Sequence, residues 1–221
     1  MATIRVGARA SPLSLVQVEE VLHELPHDID FDLITIQTIG DKQQDVSLRG
    51  LEKTDFFTRE LDNMLLTNQC DIAIHSAKDL PDPIRDGLTI AAITRGVASF
   101  DSLVLKPEET IDTLPSGAVI ATSSERREEA VRLLRHDLSF CDLRGTIEQR
   151  LKQLNDGKVD GVVLAEAALI RLKLTHLNRV KLPGDTTPLQ GKLAILTRTN
   201  HQEMVQIFSP LDCRCEVFIP G

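Results

Sequence analysis

The chain has 221 residues, of which 42% are apolar and 26% charged, and its formal net charge is −8. This composition is that of an ordinary globular protein, with enough length for one large domain or two small ones. The acidic balance argues against broad nucleic-acid binding, which depends on neutralising phosphates. No apolar run reaches membrane-spanning length and no secretory signal precedes the first predicted strand, so we expect a cytoplasmic protein with no membrane partner.

The first part of the chain alternates between strand and helix patterns. Ser11 and Pro12 predict the N-cap and the first turn of a helix. The polar stretch 40–53 is typical of a loop. Predicted strands cover Thr3–Ala8, Phe31–Ile39, Ile72–His75 and Leu88–Thr94, and helical spacing of apolar residues predicts helices over Leu13–Leu25 and Phe57–Leu65.

The stretch Asp71–Pro81 holds the most concentrated candidate site. An apolar run, Ile72-Ala73-Ile74, leads into a polar end where Lys78 stands beside Asp79. A cation next to a carboxylate is suited to acid–base chemistry. An isolated Lys-Asp pair more often lies at the rim of a turn, so the interpretation depends on whether other strand ends repeat the arrangement.

The second part of the chain again alternates strand with helix. Thr146 and Gln149 predict a capping box, and Leu193–Leu196 predicts a strand that returns to the first lobe. Alternation of this kind predicts parallel βαβ units, so we expect two α/β lobes with a cleft between them. The other predicted elements are strands at Asp101–Leu105, Ala118–Ala121, Phe140–Leu143 and Val159–Leu164, and helices at Glu125–Arg135 and Ala165–Leu172.

Four predicted strand ends carry cationic or hydroxyl side chains. In open α/β sheets, ligands bind beyond the carboxyl ends of strands, where helix N-termini attract anions. Arginine suits bidentate capture of carboxylates or phosphates. For any single arginine, neutralisation by neighbouring acids on a solvated helix face is the alternative. Together the four ends predict a small polyanionic ligand: Arg9 with Ser11, Lys78 with Asp79, Ser123 to Arg127, and Arg144 to Arg150.

The four cysteines, Cys70, Cys141, Cys213 and Cys215, are expected to be thiols, because no secretory signal accompanies them. Cys213-x-Cys215 could begin a metal site, but no second pair supports it, so no metal is expected. No Gly-x-Ser-x-Gly elbow and no Gly-rich phosphate loop is present.

Several longer motifs follow one another along the chain. They are Gly7-Ala-Arg9-Ala-Ser11-Pro-Leu-Ser-Leu, Phe57-Thr-Arg-Glu-Leu61, the whole of Asp71–Pro81, Thr122-Ser-Ser-Glu-Arg126-Arg127, Asp142-Leu-Arg144-Gly-Thr-Ile-Glu-Gln-Arg150-Leu, Asp160-Gly-Val-Val-Leu-Ala165 through Leu169-Ile-Arg171-Leu, and Gln190-Gly191. In these motifs and in their order, from Ile4 to about Arg198, the chain resembles the hydroxymethylbilane synthase, or porphobilinogen deaminase, family.

The resemblance implies a transferase of haem biosynthesis that joins four porphobilinogens head to tail, with loss of ammonia, into linear hydroxymethylbilane. It implies a dipyrromethane cofactor linked to a cysteine as a thioether, and we expect a monomer. Asp79 matches the catalytic aspartate of the family. The positions that match substrate or cofactor contacts are Arg9, Ser11, Lys78, Ser124, Arg126, Arg127, Arg144, Arg150, Arg171 and Gln190.

The resemblance also implies a fold of two periplasmic-binding-protein-like lobes. We expect residues 1–95 and 189–209 in the first lobe, 96–188 in the second, and 210–221 as a short remnant of a third, cofactor-bearing domain. Cys215 is the preferred cofactor anchor because family-like residues follow it and Arg214 would favour its thiolate, with Cys213 as second choice.

Two features depart from the family pattern. The glycine–lysine pattern expected before Phe57 is not kept in 48–57, so no role is assigned there. The shortened third domain keeps open an alternative function, a non-catalytic two-lobed protein that binds a polycarboxylate.

Overall fold

The computed structural model describes residues 3–26, 29–43 and 55–216. Short 3-10 turns occur at Asp55–Phe57, Ala77–Asp79, Ser209–Leu211 and Cys213–Glu216. The strands are β1 (Ile4–Arg9), β2 (Phe31–Ile36), β3 (Ile72–Ser76), β4 (Leu88–Ile93), β5 (Asp101–Leu105), β6 (Val119–Ala121), β7 (Ser139–Cys141), β8 (Gly161–Ala165), β9 (Arg179–Lys181) and β10 (Leu193–Arg198). The helices are α1 (Pro12–His23), α2 (Ile39–Lys42), α3 (Arg59–Leu66), α4 (Glu125–Leu134), α5 (Ile147–Asn155), α6 (Glu166–Arg171) and α7 (Gln202–Phe208).

The chain divides into two compact α/β units. The first contains the described residues within Met1–Lys42, Lys53–Val97 and Lys192–Gly221, and the second those within Gln43–Glu52 and Ala98–Gly191. Each unit is built around one five-stranded sheet of the described residues. The predicted α/β fold class is therefore confirmed.

The sheet of the first unit has the strand order β2-β1-β3-β10-β4. Strand β1 runs parallel to β2 and β3, whereas β10 runs antiparallel to both of its neighbours. Because Leu193 lies opposite Ser76, β10 begins where β3 ends. We call this edge, where β1, β3 and β4 end and β10 begins, the first-unit edge.

The sheet of the second unit has the order β7-β6-β8-β5-β9. Strand β6 is parallel to β7 and β8, and β5 enters antiparallel to β8 with Asp101 opposite Ala165. We call the edge where β6, β7 and β8 end and β5 begins the second-unit edge. The predicted parallel βαβ pattern is thus correct for the core of each sheet, while β5 and β10 run antiparallel to both of their neighbours.

The two faces of the first sheet bury different helices because successive strand side chains point to opposite faces. On one face Ile72 and Ile74 pack with α1 and α7, where Val18, Val21 and Phe208 are at most 2% exposed. On the other face, Ala73 and Leu196 pack with Leu61 and Leu65 of α3. In the second unit, buried residues likewise line both faces of the sheet.

Most predicted elements are present, with shifted ends in several places. Ser11 caps α1 by accepting a hydrogen bond from Ser14 N at 3.3 Å, and the capping box of Thr146 is present. The strand predicted to reach Ile39 ends at Ile36, because Ile39 begins α2. Phe57 lies in a 3-10 turn before α3 instead of inside the helix. The predicted loop over 40–53 lies mostly outside the described residues.

One buried carboxyl, Asp62 on α3, predicts a pH-dependent stability. Asp62 is 2% exposed, and burial raises its pKa to about 6. Between the unfolded value near 4 and that pKa the folded state binds the extra proton, so stability falls as the pH rises through this window. We expect Asp62→Asn to raise the free energy of unfolding at neutral pH by about 1 to 2 kcal/mol, measured by urea unfolding.

The matched control is Asp55→Asn, because Asp55 is an exposed carboxylate paired with Arg59 at 2.7 Å. This variant should gain no stability at neutral pH. If Asp62→Asn is no more stable than the unsubstituted chain above pH 7, the buried carboxylate of Asp62 does not destabilise the folded protein.

Candidate functional site

At the first-unit edge, Arg9 lies at the end of β1 and pairs with the carboxylate of Asp41. Its guanidinium carbon also lies 4.6 Å from the ring centroid of Phe57. Thr38 N and Thr38 Oγ1 donate to Asp41 Oδ2 at 3.0 and 2.9 Å. Burial opposes ionisation of Asp41, but the hydrogen bond and charge of Arg9 outweigh it, so the pKa of Asp41 is lowered. Arg9, which was predicted to bind a ligand, is therefore held by the carboxylate of Asp41.

Lys78 and Asp79 follow β3 directly, in the 3-10 turn Ala77–Asp79. Both side chains are half-buried. Ala77 N donates to Lys192 O at 3.0 Å, which ties this turn to the residue before β10. Because β1 and β3 are parallel neighbours, Arg9, Ser11, Lys78 and Asp79 follow strands that end at the same sheet edge.

His75, the residue before Ser76 at the end of β3, is buried at 6% exposure. Its Nε2 atom is buried and has no hydrogen-bond partner among the described residues. Burial and, to a lesser extent, the nearby charge of Arg9 together lower the pKa of His75 to about 4. His75 is therefore a neutral imidazole at this edge, not a second cation.

The chain also brings Cys213 to the first-unit edge. Lys192 Nζ donates to Cys213 Sγ at 3.2 Å, and Cys213 Sγ donates to Thr94 O at 3.2 Å. Arg214, which was expected to favour the thiolate of Cys215, pairs with Asp212 at 2.8 Å. Cys215 lies in the turn Cys213–Glu216, and its side chain is outside the described part of the structure.

At the second-unit edge, three predicted ligand residues converge on one carboxylate. Asp101, the first residue of β5, is 1% exposed. Its Oδ1 accepts from Arg127 Nη2 at 2.6 Å and Gln190 Nε2 at 2.8 Å, and its Oδ2 accepts from Arg126 Nη2 at 2.5 Å. Arg126 Nη1 also donates to Asp185 O at 2.9 Å. The structure thus places Arg126, Arg127 and Gln190 together.

The remaining predicted residues of the second unit lie on the segments that follow β6, β7 and β8. Ser124 is the N-cap residue of α4, and within the described structure its hydroxyl makes no capping bond. Arg150 Nε donates to Gly145 O at 2.8 Å, and Arg171, 8% exposed, donates from Nη2 to Gly191 O at 2.9 Å. Arg144 follows β7 and is half-buried.

A glycine is required at position 191 because two chain segments approach each other closely there. Its φ is +83°, and a Cβ there would lie 1.9 Å from Ala98 O. Only glycine fits such an approach and such a φ at no steric cost. The glycine therefore fixes the loop that carries Gln190 against the segment that precedes Asp101.

Sequence reasoning missed three charged residues of these edges: Asp41, Asp101 and Lys192. Asp101 carried a usable signal, since an acid opens a strand whose five residues are all buried. Such a position requires a cationic partner. Asp41 stands in polar surroundings along the chain, and Lys192 directly precedes the apolar run Leu193–Leu196, but nothing local marks the partner of either residue.

No group of His, Cys, Asp and Glu side chains in the described residues could hold a metal ion. Within the same residues, no helix is both long enough and apolar enough to cross a membrane.

The fold is that of two-lobed ligand-binding proteins. The chain matches an ancestral cationic amino-acid solute-binding protein with a TM-score of 0.59 and 12% identity, over 95% of this chain and 87% of that one. A probable amino-acid ABC transporter extracellular-binding protein from Bacillus subtilis matches with a TM-score of 0.55 and 14% identity, over 96% and 91%. At these identities the likeness concerns the fold alone.

Sequence comparison defines the family. Residues 4–206 match the family described as porphobilinogen deaminase, dipyromethane cofactor binding domain. The porphobilinogen deaminase of Chloroherpeton thalassium is 38% identical over 94% of this chain and 68% of its own length. A probable porphobilinogen deaminase of Chlamydia pneumoniae is 37% identical over 95% of this chain and 90% of its own length. The chain belongs to the porphobilinogen deaminase family of transferase enzymes, which confirms the resemblance.

The residues at the second-unit edge fit the dipyrromethane cofactor of this family. The Nε atoms of Arg126 and Arg127 are buried and have no hydrogen-bond partner among the described residues. A buried donor without an acceptor costs free energy. Dipyrromethane carries acetate and propionate carboxylates, which are the acceptors that guanidinium donors bind most strongly.

We expect the imidazole of His75 to stay neutral until the pH falls well below 6. Its pKa is lowered to about 4, whereas an unfolded histidine protonates near pH 6.5. The unfolded state therefore binds more protons between these values, and stability is lost as the pH falls, by about 2 to 3 kcal/mol. An NMR titration of the histidine signals measures the pKa of His75, and the variant His75→Gln assigns its signal. A His75 signal that titrates above pH 6 would contradict the burial argument.

Proposed function

We propose that this chain is a hydroxymethylbilane synthase, which condenses four porphobilinogen molecules head to tail, with release of ammonia, into linear hydroxymethylbilane for haem biosynthesis. We propose further that it acts as a cytoplasmic monomer, without nucleic-acid or membrane partners. The proposed substrate is porphobilinogen, the small molecule that appears in the names of its relatives.

The observation that carries the proposal is the 38% identity to a porphobilinogen deaminase over 94% of the chain. The placement of the matched arginines at sheet edges supports it, because the substrate and its products carry carboxylates. The alternative, a non-catalytic polycarboxylate binder, is not favoured, since its structural support is fold likeness at 12 to 14% identity.

In this proposal, cationic and polar side chains at the two edges hold the carboxylates of the cofactor and the growing chain. Each pyrrole adds an acetate and a propionate, so several guanidinium groups are needed to receive them. When bound, dipyrromethane supplies the pyrrole end to which the first substrate molecule is joined. The proposed binding residues are Arg9, Ser11, Lys78, Ser124, Arg126, Arg127, Arg144, Arg150, Arg171 and Gln190.

Asp79 is the proposed catalytic residue. Loss of ammonia from porphobilinogen leaves an electron-poor pyrrole, and a carboxylate near the pyrrole N–H would stabilise the positive charge that develops. The same carboxylate can accept and return a proton. Its support is its place in the turn after β3, beside Lys78 and at the edge that also carries Arg9.

The proposed thiol anchor lies in the segment 210–221, with Cys215 as first choice and Cys213 as second. The contact of Lys192 with Cys213 supports it, because it brings this segment to the edge that carries Asp79. Cys70 is less suited, because it is fully buried and burial raises its pKa to about 11. We propose lobe boundaries at 1–95 with 189–209, and at 96–188.

Asp79→Asn should fold and bind porphobilinogen but form hydroxymethylbilane more slowly by a factor on the order of 10² to 10³, because the charge that stabilises the transition state is lost. A steady-state assay measures the rate. The control is Asp86→Asn, an exposed carboxylate of the same loop region, which should leave the rate within about twofold. A near-normal rate for Asp79→Asn would remove the catalytic role.

The protein produced with substrate available should exceed the mass of its chain by one dipyrromethane, attached at Cys215. Intact mass and peptide mapping of Cys213→Ser and Cys215→Ser locate the anchor, with Cys70→Ser as a control that keeps the adduct. Adduct retained in Cys215→Ser and lost in Cys213→Ser would move the anchor to Cys213. No adduct on either thiol would contradict the proposed anchor segment.

A further inference from the structure

The carboxylate of Asp101 gathers side chains from two separate segments of the second unit. Arg126 and Arg127 come from the first turn of α4, and Gln190 comes from the loop before β10. The backbone of Asp101 is itself fixed, because it pairs with Ala165 of β8. A buried carboxylate on a paired strand thus accepts hydrogen bonds from three side chains of two separate segments.

The hydrogen bonds to Asp101 use only some of the N–H donors of Arg126 and Arg127. Asp101 accepts from the Nη2 atoms of Arg126 and Arg127, while the adjacent Nε atoms are buried without a partner in the described residues. Two cations face one anion, so these three side chains carry a net charge of +1. Arginine–carboxylate pairs are frequently bidentate, with two parallel N–H···O bonds from a single guanidinium.

Glu166 shows what such a structural pair looks like in the same unit. It is 4% exposed and accepts two parallel hydrogen bonds from one edge of the Arg179 guanidinium, Nη2 to Oε1 at 2.9 Å and Nε to Oε2 at 3.0 Å. Ser102 Oγ donates to its Oε2 at 2.6 Å. Here one cation and one anion satisfy each other, and no predicted ligand residue takes part.

We propose that Asp101 is a positioning residue, which holds Arg126, Arg127 and Gln190 in the arrangement that receives a ligand carboxylate. This role rests on the proposed function. The role adds to the proposed function by naming the group that positions the donor atoms of these side chains before the ligand binds.

The physical reason is the behaviour of two adjacent cations without their anion. Neighbouring guanidinium groups repel each other, and long arginine side chains extend toward water when no partner holds them. Asp101 offsets the repulsion and restricts the rotamers of both arginines. A ligand carboxylate then meets donors that are already placed, so less conformational freedom is lost on binding.

The first test of this role is independent of catalysis. In Asp101→Asn, ¹⁵N relaxation of the arginine Nε–H groups should show the order parameters of Arg126 and Arg127 falling below about 0.6, the range of flexible groups. In the control variant Glu166→Gln, the order of Arg126 and Arg127 should remain that of the unsubstituted protein. Unchanged order of both arginines in Asp101→Asn would overturn the proposal.

The second test separates binding from chemistry. Asp101→Asn should raise the half-saturating porphobilinogen concentration on the order of tenfold while kcat changes only a few-fold, because misplaced donors weaken ligand capture. Glu166→Gln loses a buried carboxylate of the same unit and should leave half-saturation within about twofold. An equal effect of the two variants on half-saturation would assign Asp101 a structural role only.

A second variant covers the case in which Asp101→Asn does not fold. Asp101→Glu keeps the charge and moves the carboxylate by one methylene, so half-saturation should still rise, whereas a purely neutralising role predicts no change. If the unsubstituted protein fails to consume porphobilinogen, the proposed function fails. The relaxation measurement still decides whether Asp101 holds the arginines.

Discussion

The second unit depends on the interaction between the carboxylate of Asp101 and the guanidinium of Arg127, which is 7% exposed. A buried cation costs several kcal/mol unless an anion and further hydrogen bonds accompany it. Asp101 supplies the anion at a distance of 2.6 Å. Without it, the first turn of α4 would have to release Arg127 to water, and the arginine pair would lose its place at the end of β6.

In each unit, a strand that runs antiparallel to its neighbours brings a charged residue to the sheet edge. Parallel strands all end at the same edge, so they deliver the residues that follow them. A strand that runs the other way delivers its first residue, or the residue before it, to that same edge. In the second unit this strand is β5, which brings Asp101; in the first unit it is β10, which brings Lys192 to Cys213. The reversal of one strand therefore lets residues that are distant in sequence meet.

This reversal also explains how much could be predicted from the sequence. Strand ends and helix caps are local signals, so Ser11, Asp79, Arg127 and the capping box of Thr146 could be placed from the pattern alone. The direction of a strand within its sheet is set by long-range pairing, which no local pattern records. The partner of Arg127 lies 26 positions earlier in the chain, and the donor to Cys213 lies 21 positions earlier. Those contacts needed the fold.

In the proposed function, an acidic chain has to capture a polyanionic ligand without the help of long-range attraction. With a net charge of −8, its mean field repels carboxylates, and salt screens charges beyond a Debye length of about 8 to 10 Å. Capture must then arise within hydrogen-bond distance, where a buried guanidinium interacts far more strongly than an exposed one. A single internal carboxylate that leaves two arginines one positive charge in excess meets this condition. It offsets the repulsion between the two guanidinium groups, yet leaves the Nε donors of Arg126 and Arg127 without an acceptor among the described residues.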